Sequence, residues 1–347
     1  MRTTLSDLGG WSGVLAPLTR GIDLPGDVAC AAMADILAGD ATPAQVAGFI
    51  VALRMKGETL EELSGLLDAM IDAAEVVTLT GGLDGVLDTC GTGGDRSHSI
   101  NVSTLAAVVA VGAGARVCKH GNRAASSACG SADLLEALGV RIDLDAVGVA
   151  RCVEHVGFGF CFAPRFHPAM RHAVPTRREL GVPTVFNMLG PLANPAGVRR
   201  QVVGVADPAI AERMARVLAA RGAERAVIVH GHDGLDELTT TTTSSMLELV
   251  GGEPRETVVD PAALGLAVAE PGALRGGDPA TNAGLARAVL SGECGPHRDV
   301  VVLNAAAGLL VGGVVSDLAE GIEAAYDAID SGRAASVVDA LVAVSNA

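Results

Sequence analysis

The sequence has few aromatic side chains, few lysines and an excess of negative charge. Aromatic residues make up 2% of its 347 residues, which excludes base-stacking platforms and aromatic cages for sugars. A net charge of −15, from 25 basic and 40 acidic residues, excludes a broad nucleic-acid-binding surface because such a chain repels a polyanion. Lys56 and Lys119 are the only lysines. A small phosphate ligand in a local positive pocket is compatible with this composition.

The distribution of apolar residues along the sequence also predicts neither a secretory nor a membrane-spanning segment. Asp7 interrupts the N-terminal apolar residues, so a signal peptide is not expected. The longest apolar run, 300–315, contains Asn304 and three glycines, and we interpret it as a buried strand, Val300–Leu303, that continues into a helix. Seven cysteines without paired metal-ligand spacing indicate buried thiols in a reducing cytoplasm. We therefore expect a cytoplasmic protein without a membrane partner.

The first quarter of the chain has the pattern of a helical unit. Thr42 with Gln45, and Thr59 with Glu62, have the spacing of two capping boxes, each followed by apolar residues at helical spacing. Nothing in this part suggests chemistry. We assign residues 1–78 to a small all-helical domain.

From residue 79 onwards, β-branched runs alternate with helical patterns. The predicted strands are Gly85–Cys90, Ala115–Cys118, Val140–Leu144, Phe158–Phe162, Gln201–Val205, Ala226–His230 and Val300–Leu303. The predicted helices between them are Thr104–Val111, Ser131–Leu138, Ala146–Val156 and Pro168–Leu180. Such alternation predicts an α/β fold: a large domain, 79–347, with a mostly parallel central sheet flanked by helices, beside the small all-helical domain.

A glycine-rich segment directly after the first predicted strand is a candidate phosphate site. Three glycines occur within residues 91–94, and Asn101–Thr104 opens the next helix with hydroxyl and amide side chains. Glycines let backbone N–H groups approach a ligand, and a helix N-terminus attracts anions. No Gly-Lys-Ser/Thr follows, and Arg96 replaces the last glycine of a dinucleotide fingerprint. The bound phosphate is therefore expected to belong to something smaller than a dinucleotide.

Two further polar segments follow predicted strands. Lys119–Ser127 is rich in phosphate-binding donors and leads to Ser131 at the start of a helix. Asp236 and Glu237 follow the strand that ends at His230, and adjacent carboxylates can hold Mg²⁺ together with substrate phosphates. Because ligands bind at the carboxyl ends of strands in open parallel sheets, we expect these segments to share one crevice.

The region after the fourth predicted strand offers one more candidate. Arg177 could bind the carboxylate of a second, smaller substrate. The histidines, including His120 and His167, have no serine or cysteine partner at a recognisable nucleophile position. Nucleophilic catalysis is not supported, and no residue is expected to act as a strong acid or base.

Taken together, these segments resemble the anthranilate phosphoribosyltransferase family. The motifs that carry the resemblance are Asp88–Asp95 with Asn101–Thr104, Lys119–Asp133, Val185–Leu192 with Asn194-Pro195, and Asp233–Leu238. The resemblance implies transfer of the phosphoribosyl group from 5-phosphoribosyl 1-diphosphate to the amine of anthranilate, with Mg²⁺, in tryptophan biosynthesis. It also implies a homodimer formed through the helical part, and a return of the segment around 168–191 to the small domain.

The resemblance also assigns residues to each ligand. The implied phosphoribosyl-diphosphate site consists of Gly91, Gly94, Asp95, Ser99, Asn101, Val102, Ser103, Thr104, Lys119, His120, Gly121, Asn122, Arg123, Ala124, Ala125, Ser126, Ser127 and Ser131. The implied anthranilate site consists of Gly91, Asn122 and Arg177, and the implied metal ligands are Ser103, Asp236 and Glu237.

Two positions depart from the family pattern, and two other functions stay open. Pro183 occupies a position where a basic residue is expected, and Ala128 one where a longer polar residue is frequent. One alternative is a pyrimidine nucleoside phosphorylase of the same architecture, which binds one orthophosphate and does not need the Asp236-Glu237 pair. The other is an inactive nucleic-acid-binding relative, which the net charge disfavours.

Overall fold

The computed structural model of the chain describes residues 4–124 and 128–347 and divides into two compact units. The first, here called the helical unit, comprises the chain up to Glu75 together with Ala163–Pro195. The second, the α/β unit, comprises Val76–Phe162 and Ala196–Ala347.

Helices account for most of the regular structure in the described residues. They are α1 (Gly10–Leu18), α2 (Gly26–Ala38), α3 (Pro43–Lys56), α4 (Leu60–Asp72), α5 (Val102–Gly112), α6 (Ser131–Ala137), α7 (Ala146–Val156), α8 (Ala163–Phe166), α9 (Val174–Leu180), α10 (Val185–Leu192), α11 (Ala211–Ala220), α12 (Pro279–Leu290), α13 (Pro296–Gly312), α14 (Leu318–Asp330) and α15 (Arg333–Ser345). Short 3₁₀ helices are Ser6–Leu8, Pro168–His172 and Pro208–Ile210. None of these helices has the length and apolar composition needed to cross a membrane.

Local sequence signals fix the helical unit. Both predicted capping boxes are present, at the N-termini of α3 and α4. Glu62, the second box's acidic residue, is fully buried and also accepts from the backbone N–H of Leu24 at 2.8 Å. Lys56 pairs with Glu62 at 2.8 Å and with Asp23 at 2.7 Å. One of the two lysines therefore serves the structure of this unit.

The α/β unit is built on one seven-stranded sheet. Its strands are β1 (Val86–Gly91), β2 (Arg116–Gly121), β3 (Phe158–Phe162), β4 (Arg200–Gly204), β5 (Arg225–Gly231), β6 (Ser244–Val250) and β7 (Glu253–Val259). The spatial order is β3-β2-β1-β4-β5-β6-β7. The first five strands in this order are parallel, and β6 pairs antiparallel with both β5 and β7. The predicted fold class, a helical part plus an α/β part with a mostly parallel sheet, is confirmed.

Two predicted strands are wrong. Val300–Leu303 lies inside α13, a helix buried on every face between Val300 and Val311, and such a helix shows no periodicity that separates it from a buried strand. Val140–Leu144 does alternate buried and exposed residues, but it pairs with no strand in the described residues. The backbone N–H of Arg141 instead donates to Ser345 Oγ at 3.1 Å.

Two further features differ from the prediction. The expected helix Pro168–Leu180 is divided into a 3₁₀ helix and α9, because Pro175 lacks the N–H that would continue one helix through this point. The antiparallel hairpin β6–β7 was not predicted. Gly251 and Gly252 connect its strands, both with positive φ, as a two-residue hairpin turn requires.

Candidate active site

The four central parallel strands all end in glycine at the same edge of the sheet. These glycines are Gly91 on β1, Gly121 on β2, Gly204 on β4 and Gly231 on β5. A Cβ on any of them would collide with an atom of a later segment, at distances between 1.6 and 2.6 Å. The closest case is Gly204, where the obstacle is the carbonyl oxygen of Asp236 at 1.6 Å. Chain connections diverge between β1 and β4, and this is where open α/β sheets bind ligands.

Strands β1 and β2 separate before they reach this edge, and polar side chains fill the gap. Their paired residues end at Leu87 and Val117. Beyond that point the buried Asp88 accepts from the backbone N–H of His120 at 3.1 Å. Lys119, 2% exposed, donates to the carbonyl oxygen of Thr89 and lies 3.3 Å from Ser103 Oγ.

The adjacent carboxylates of Asp236 and Glu237 meet the glycine-rich loop and the start of α5. Asp236 Oδ2 accepts from the backbone N–H of Gly93 at 2.8 Å. Glu237 Oε1 accepts from the backbone N–H of Ser103, in the first turn of α5, at 3.1 Å. Segments 143 and 134 residues apart in sequence are thus joined at one place.

Both carboxylates bind protons more strongly than usual. Burial, together with the charge of Asp236, raises the pKa of Glu237 to about 8, against the lowering effects of Lys119 and Ser103. Burial also raises the pKa of Asp236 to about 7, and the nearby Asp95 carboxylate contributes to this increase. Burial and like charges disfavour ionisation. A cation at this point would relieve both effects.

The loop that carries Asp95 is held in an unusual backbone conformation. Arg96 and His98 both have positive φ, 58° and 53°, which is uncommon for residues other than glycine. The distant segment around Arg275 supports this loop. Ser99 and Arg275 form an antiparallel β-bridge, and the N–H of Gly276 donates to the carbonyl of His98 at 2.9 Å. Strain of this kind is typical of ligand-binding loops.

The side chain of Asn101 is used within the protein. Its Nδ2 donates to the carbonyl oxygen of Cys129 at 3.0 Å, and its Oδ1 accepts from Asn282 Nδ2 at 2.9 Å. Asn282 is 2% exposed and accepts from the backbone N–H of Gly277 at 2.7 Å. Asn101 therefore links the loop before α5 to two other segments.

The segment after β2 is organised by one acidic residue. Asp133 accepts from the backbone N–H groups of Ala124 at 3.0 Å and Gly130 at 2.9 Å, and it pairs with Arg123 at 2.8 Å. Arg123 also pairs with Glu136 at 2.9 Å, so carboxylates neutralise its charge. The Oγ of Ser131 donates to the carbonyl of Asn122 at 3.1 Å.

The implied substrate residues fall in both units. The α/β unit brings the implied metal ligands to the edge where the glycine-rich loop, the end of β2 and the start of α5 meet. Ala125, Ser126 and Ser127 lie outside the described residues. Arg177 belongs to the helical unit, where its guanidinium stacks on the Phe186 ring at 4.8 Å. Burial lowers the pKa of Arg177.

Several residues that shape this edge were missed in the sequence. The missed residues are Asp133, Gly204, Asn282 and Asn304. Glycine within one residue of the end of several predicted strands was a usable signal for Gly204. Asn282 and Asn304 had no such signal, because their partners are remote in sequence, whereas Asp133 bonds within its own segment.

The edge offers a metal ion two adjacent carboxylates, those of Asp236 and Glu237. Among the described residues, no group of three histidine, cysteine, aspartate or glutamate side chains is arranged to hold a metal ion. Two carboxylates suit a hard cation that takes its other ligands from water and substrate phosphates. The site fits magnesium better than zinc, which binds four protein ligands in structural sites and three in catalytic ones.

Comparisons with known proteins agree with this architecture. Residues 83–335 match the family model described as "Glycosyl transferase family, a/b domain", and residues 13–74 match the model described as "Glycosyl transferase family, helical bundle domain". Among solved structures, the anthranilate phosphoribosyltransferase of Thermus thermophilus is similar with a TM-score of 0.90 and 43% identity, covering 96% of this chain and 99% of the other. The Saccharomyces cerevisiae enzyme in complex with PRPP and Mg is similar with a TM-score of 0.86 and 29% identity, covering 98% of each chain.

Relatives found by sequence comparison include proteins that share more than half of their residues with this chain. The anthranilate phosphoribosyltransferase of a Nocardioides species is 56% identical over 340 residues, which cover 96% of this chain and 98% of the relative. The sequence resemblance to this family is thereby confirmed. Identity at this level along nearly the whole of both proteins means that the chain belongs to the anthranilate phosphoribosyltransferase family.

Proposed function

We propose that the chain transfers the 5-phosphoribosyl group from 5-phosphoribosyl 1-diphosphate to the amine of anthranilate, with Mg²⁺, and releases pyrophosphate. The observation that carries the proposal is the contact of Asp236 and Glu237 with Gly93 and Ser103 at the carboxyl ends of the central strands. It unites a carboxylate pair, a glycine-rich loop and a helix N-terminus, which are the parts that a sugar diphosphate and its cation need.

We assign the diphosphate to the glycine-rich loop and the end of β2. Gly93 and Gly94 have positive φ, and apart from their chain neighbours no described atom lies within 4 Å of a Cβ built on either residue, so a bulky anion can approach this loop. The N–H of Gly93 is already bonded to Asp236. The side-chain amide of Asn101 already bonds to Cys129 and Asn282, so its implied place in the diphosphate site does not depend on a side-chain contact. Arg123 reaches a phosphate only by leaving Asp133 and Glu136.

The metal assignment follows from the charges. Asp236 and Glu237 are crowded, and their raised pKa values mean that a bound cation would stabilise their ionised forms. Ser103 is the third implied ligand, and its Oγ lies beside Lys119. When bound, Mg²⁺ neutralises charge on the diphosphate and so helps pyrophosphate to leave.

The reaction exchanges one bond at the ribose C1. The C1–O bond to pyrophosphate breaks with its electron pair, a C1–N bond forms to anthranilate, and the amine loses one proton. The lone pair of an aromatic amine is available at pH 7, which agrees with the expectation that no strong base is needed. The main barrier is leaving-group departure, and backbone N–H groups aimed at the diphosphate stabilise the charge that grows there.

The second substrate site rests on the resemblance. We assign anthranilate to Gly91, Asn122 and Arg177, with Arg177 as the group that forks onto its carboxylate. Stacking on Phe186 fixes the plane of this guanidinium within the helical unit. The homodimer and the cytoplasmic location stay predictions.

The loss of anthranilate fluorescence in the presence of phosphoribosyl diphosphate and Mg²⁺ measures the proposed reaction. We expect the double variant Asp236→Asn with Glu237→Gln to lose most turnover while its circular dichroism is unchanged. A matched control, Asp84→Asn with Glu256→Gln, removes two exposed carboxylates and should keep full activity.

Two results would contradict this assignment. Full activity of the Asp236/Glu237 double variant would mean that the metal site is elsewhere. Phosphorolysis of thymidine or uridine by the wild type, without consumption of anthranilate, would favour the nucleoside phosphorylase alternative.

A further inference from the structure

Asn304 is a polar residue in an otherwise apolar part of the core. It lies in α13, where every residue from Val300 to Val311 is buried, and it is itself 2% exposed. An amide left without hydrogen bonds in such surroundings destabilises the fold. An asparagine is therefore expected in an apolar helix only where its side chain has hydrogen-bond partners.

All the hydrogen bonds of Asn304 are directed at two backbone segments. Its Oδ1 accepts from the N–H of Leu238 at 3.0 Å, and its Nδ2 donates to the carbonyl oxygen of Leu238 at 2.8 Å. The same Nδ2 donates to the carbonyl of Val300, one turn earlier in α13, at 2.9 Å. The side chain thus pairs with Leu238 as a neighbouring strand would.

Leu238 directly follows the carboxylate pair. Its N–H belongs to the peptide bond that joins Glu237 to Leu238, so the bond to Asn304 fixes the plane of that peptide. The orientation of this plane sets the direction in which the Glu237 side chain leaves the backbone. In that orientation Glu237 Oε1 reaches the N–H of Ser103 at 3.1 Å.

Other contacts within the protein also hold the segment from Asp233 to Thr241. Asp233 accepts from the hydroxyl groups of Thr239 at 2.7 Å and Thr241 at 2.5 Å, which closes the loop on itself. The carbonyl oxygen of Asp236 lies directly over Gly204. Hydrogen bonds and packing within the protein therefore keep together two carboxylates that repel each other.

We propose that Asn304 is a positioning residue that holds Glu237 and Asp236 in the metal-binding orientation before the cation arrives. The inference rests on the proposed function, because it takes these two carboxylates as the ligands. Pre-organisation of this kind strengthens metal binding, and loss of an outer hydrogen-bond partner weakens it by about 10–100-fold in known metal sites.

A residue that only stabilises the core would behave differently. Its replacement would lower the free energy of unfolding and leave the metal affinity of the folded protein unchanged. Asn304→Leu tests the difference, because leucine has a similar size and suits an apolar helix, but it makes no bond to Leu238. Val302→Ala is the matched control, since it removes buried volume from the same helix and keeps Asn304.

The experiment measures Mn²⁺ binding to the full chain by electron paramagnetic resonance, with and without phosphoribosyl diphosphate. We expect Asn304→Leu to bind Mn²⁺ about 10–100-fold more weakly and to have a correspondingly higher KM for Mg²⁺, with an unchanged KM for anthranilate. Val302→Ala should lower the thermal midpoint and keep the wild-type Mn²⁺ affinity. Equal affinity of Asn304→Leu and the wild type would overturn the inference.

A measurement on the wild type covers the case in which Asn304→Leu does not fold. In the metal-free protein, the amide hydrogen of Leu238 should exchange as slowly as those in the core of α13, because Asn304 already holds it. Fast exchange that becomes slow only with Mn²⁺ would overturn the inference. A wild type that binds no Mn²⁺ in either condition would overturn the proposed metal site together with it, whereas the other contrary results concern Asn304 alone.

Discussion

Replacing Glu237 by glutamine should make the metal-free protein more stable at alkaline pH. Glutamine has the same shape, and its Oε1 can still accept from the N–H of Ser103. It has no proton to lose, however, so it avoids the burial of a negative charge beside Asp236. The change therefore separates the electrostatic cost of the carboxylate from its packing.

The size and sign of the effect follow from the pKa of Glu237. The pKa of this carboxyl is 4.5 in an unfolded chain and about 8 in the folded one. Between these values the folded wild type binds more protons than the unfolded chain, so its stability falls as the pH rises. A tenfold change in proton affinity corresponds to about 1.4 kcal/mol, and part of the increase is shared with Asp236, so we expect Glu237→Gln to gain roughly 2–4 kcal/mol at pH 9.

Urea unfolding in a chelator, followed by circular dichroism at pH 4.5 and pH 9, measures this difference. The advantage of Glu237→Gln should be near zero at the lower pH and fully present at the higher one. Glu256→Gln, which replaces an exposed carboxylate on β7, should have the same effect at both values. A Glu237→Gln variant that is less stable than the wild type at pH 9 would refute the reasoning, because the ionised carboxylate would then stabilise the fold.

Three other outcomes are expected. Arg177→Ala should raise the KM for anthranilate about 10–100-fold through loss of a charge-assisted bond and should change the KM for the diphosphate much less; equal increases would mean that the substrate sites are misassigned. Gly204→Ala should raise the KM for Mg²⁺ about tenfold or more because its Cβ displaces Asp236, whereas Gly284→Ala, with no described atom within 4 Å of the new Cβ, should not; equal values would show that the loop tolerates the shift. Mg²⁺ affinity should increase about 100–1000-fold from pH 6 to pH 9 as Asp236 and Glu237 lose their protons, and a flat profile would contradict their role as ligands.

Features that depend on nearby residues could be predicted from the sequence. The capping boxes of α3 and α4 need only a threonine and the residue three positions later, and both are present. The glycine-rich loop and the Asp236-Glu237 pair could be placed at strand ends, because parallel strands bring their carboxyl ends to one edge. Local chemistry therefore predicted which segments meet at this edge, although not the contacts between them.

Features that depend on burial could not be predicted in the same way. The run Val300–Leu303 is a good strand by composition, and only the complete burial of α13 explains why it is helical. Val140–Leu144 has the alternation of a strand, yet a strand also needs a neighbour, and Ser345 bonds to its backbone instead. Composition describes the surroundings that a segment prefers, whereas hydrogen-bond pairing is decided by the rest of the fold.

The contacts that hold the site together are the hardest to predict, because they join remote residues. Asn304 is 66 positions from Leu238, and Asn282 is 181 positions from Asn101. In the sequence, Asn304 only interrupts an apolar run. In the structure, its amide group bonds to the backbone of Leu238, which an apolar side chain could not do. A buried amide in an apolar helix is thus a sign of a remote backbone partner, since its own helix offers a carbonyl to the NH₂ group, as Val300 does, but no free N–H to the oxygen. The same reasoning applies to Glu237, whose burial lowers the stability of the metal-free protein and strengthens its attraction for a cation.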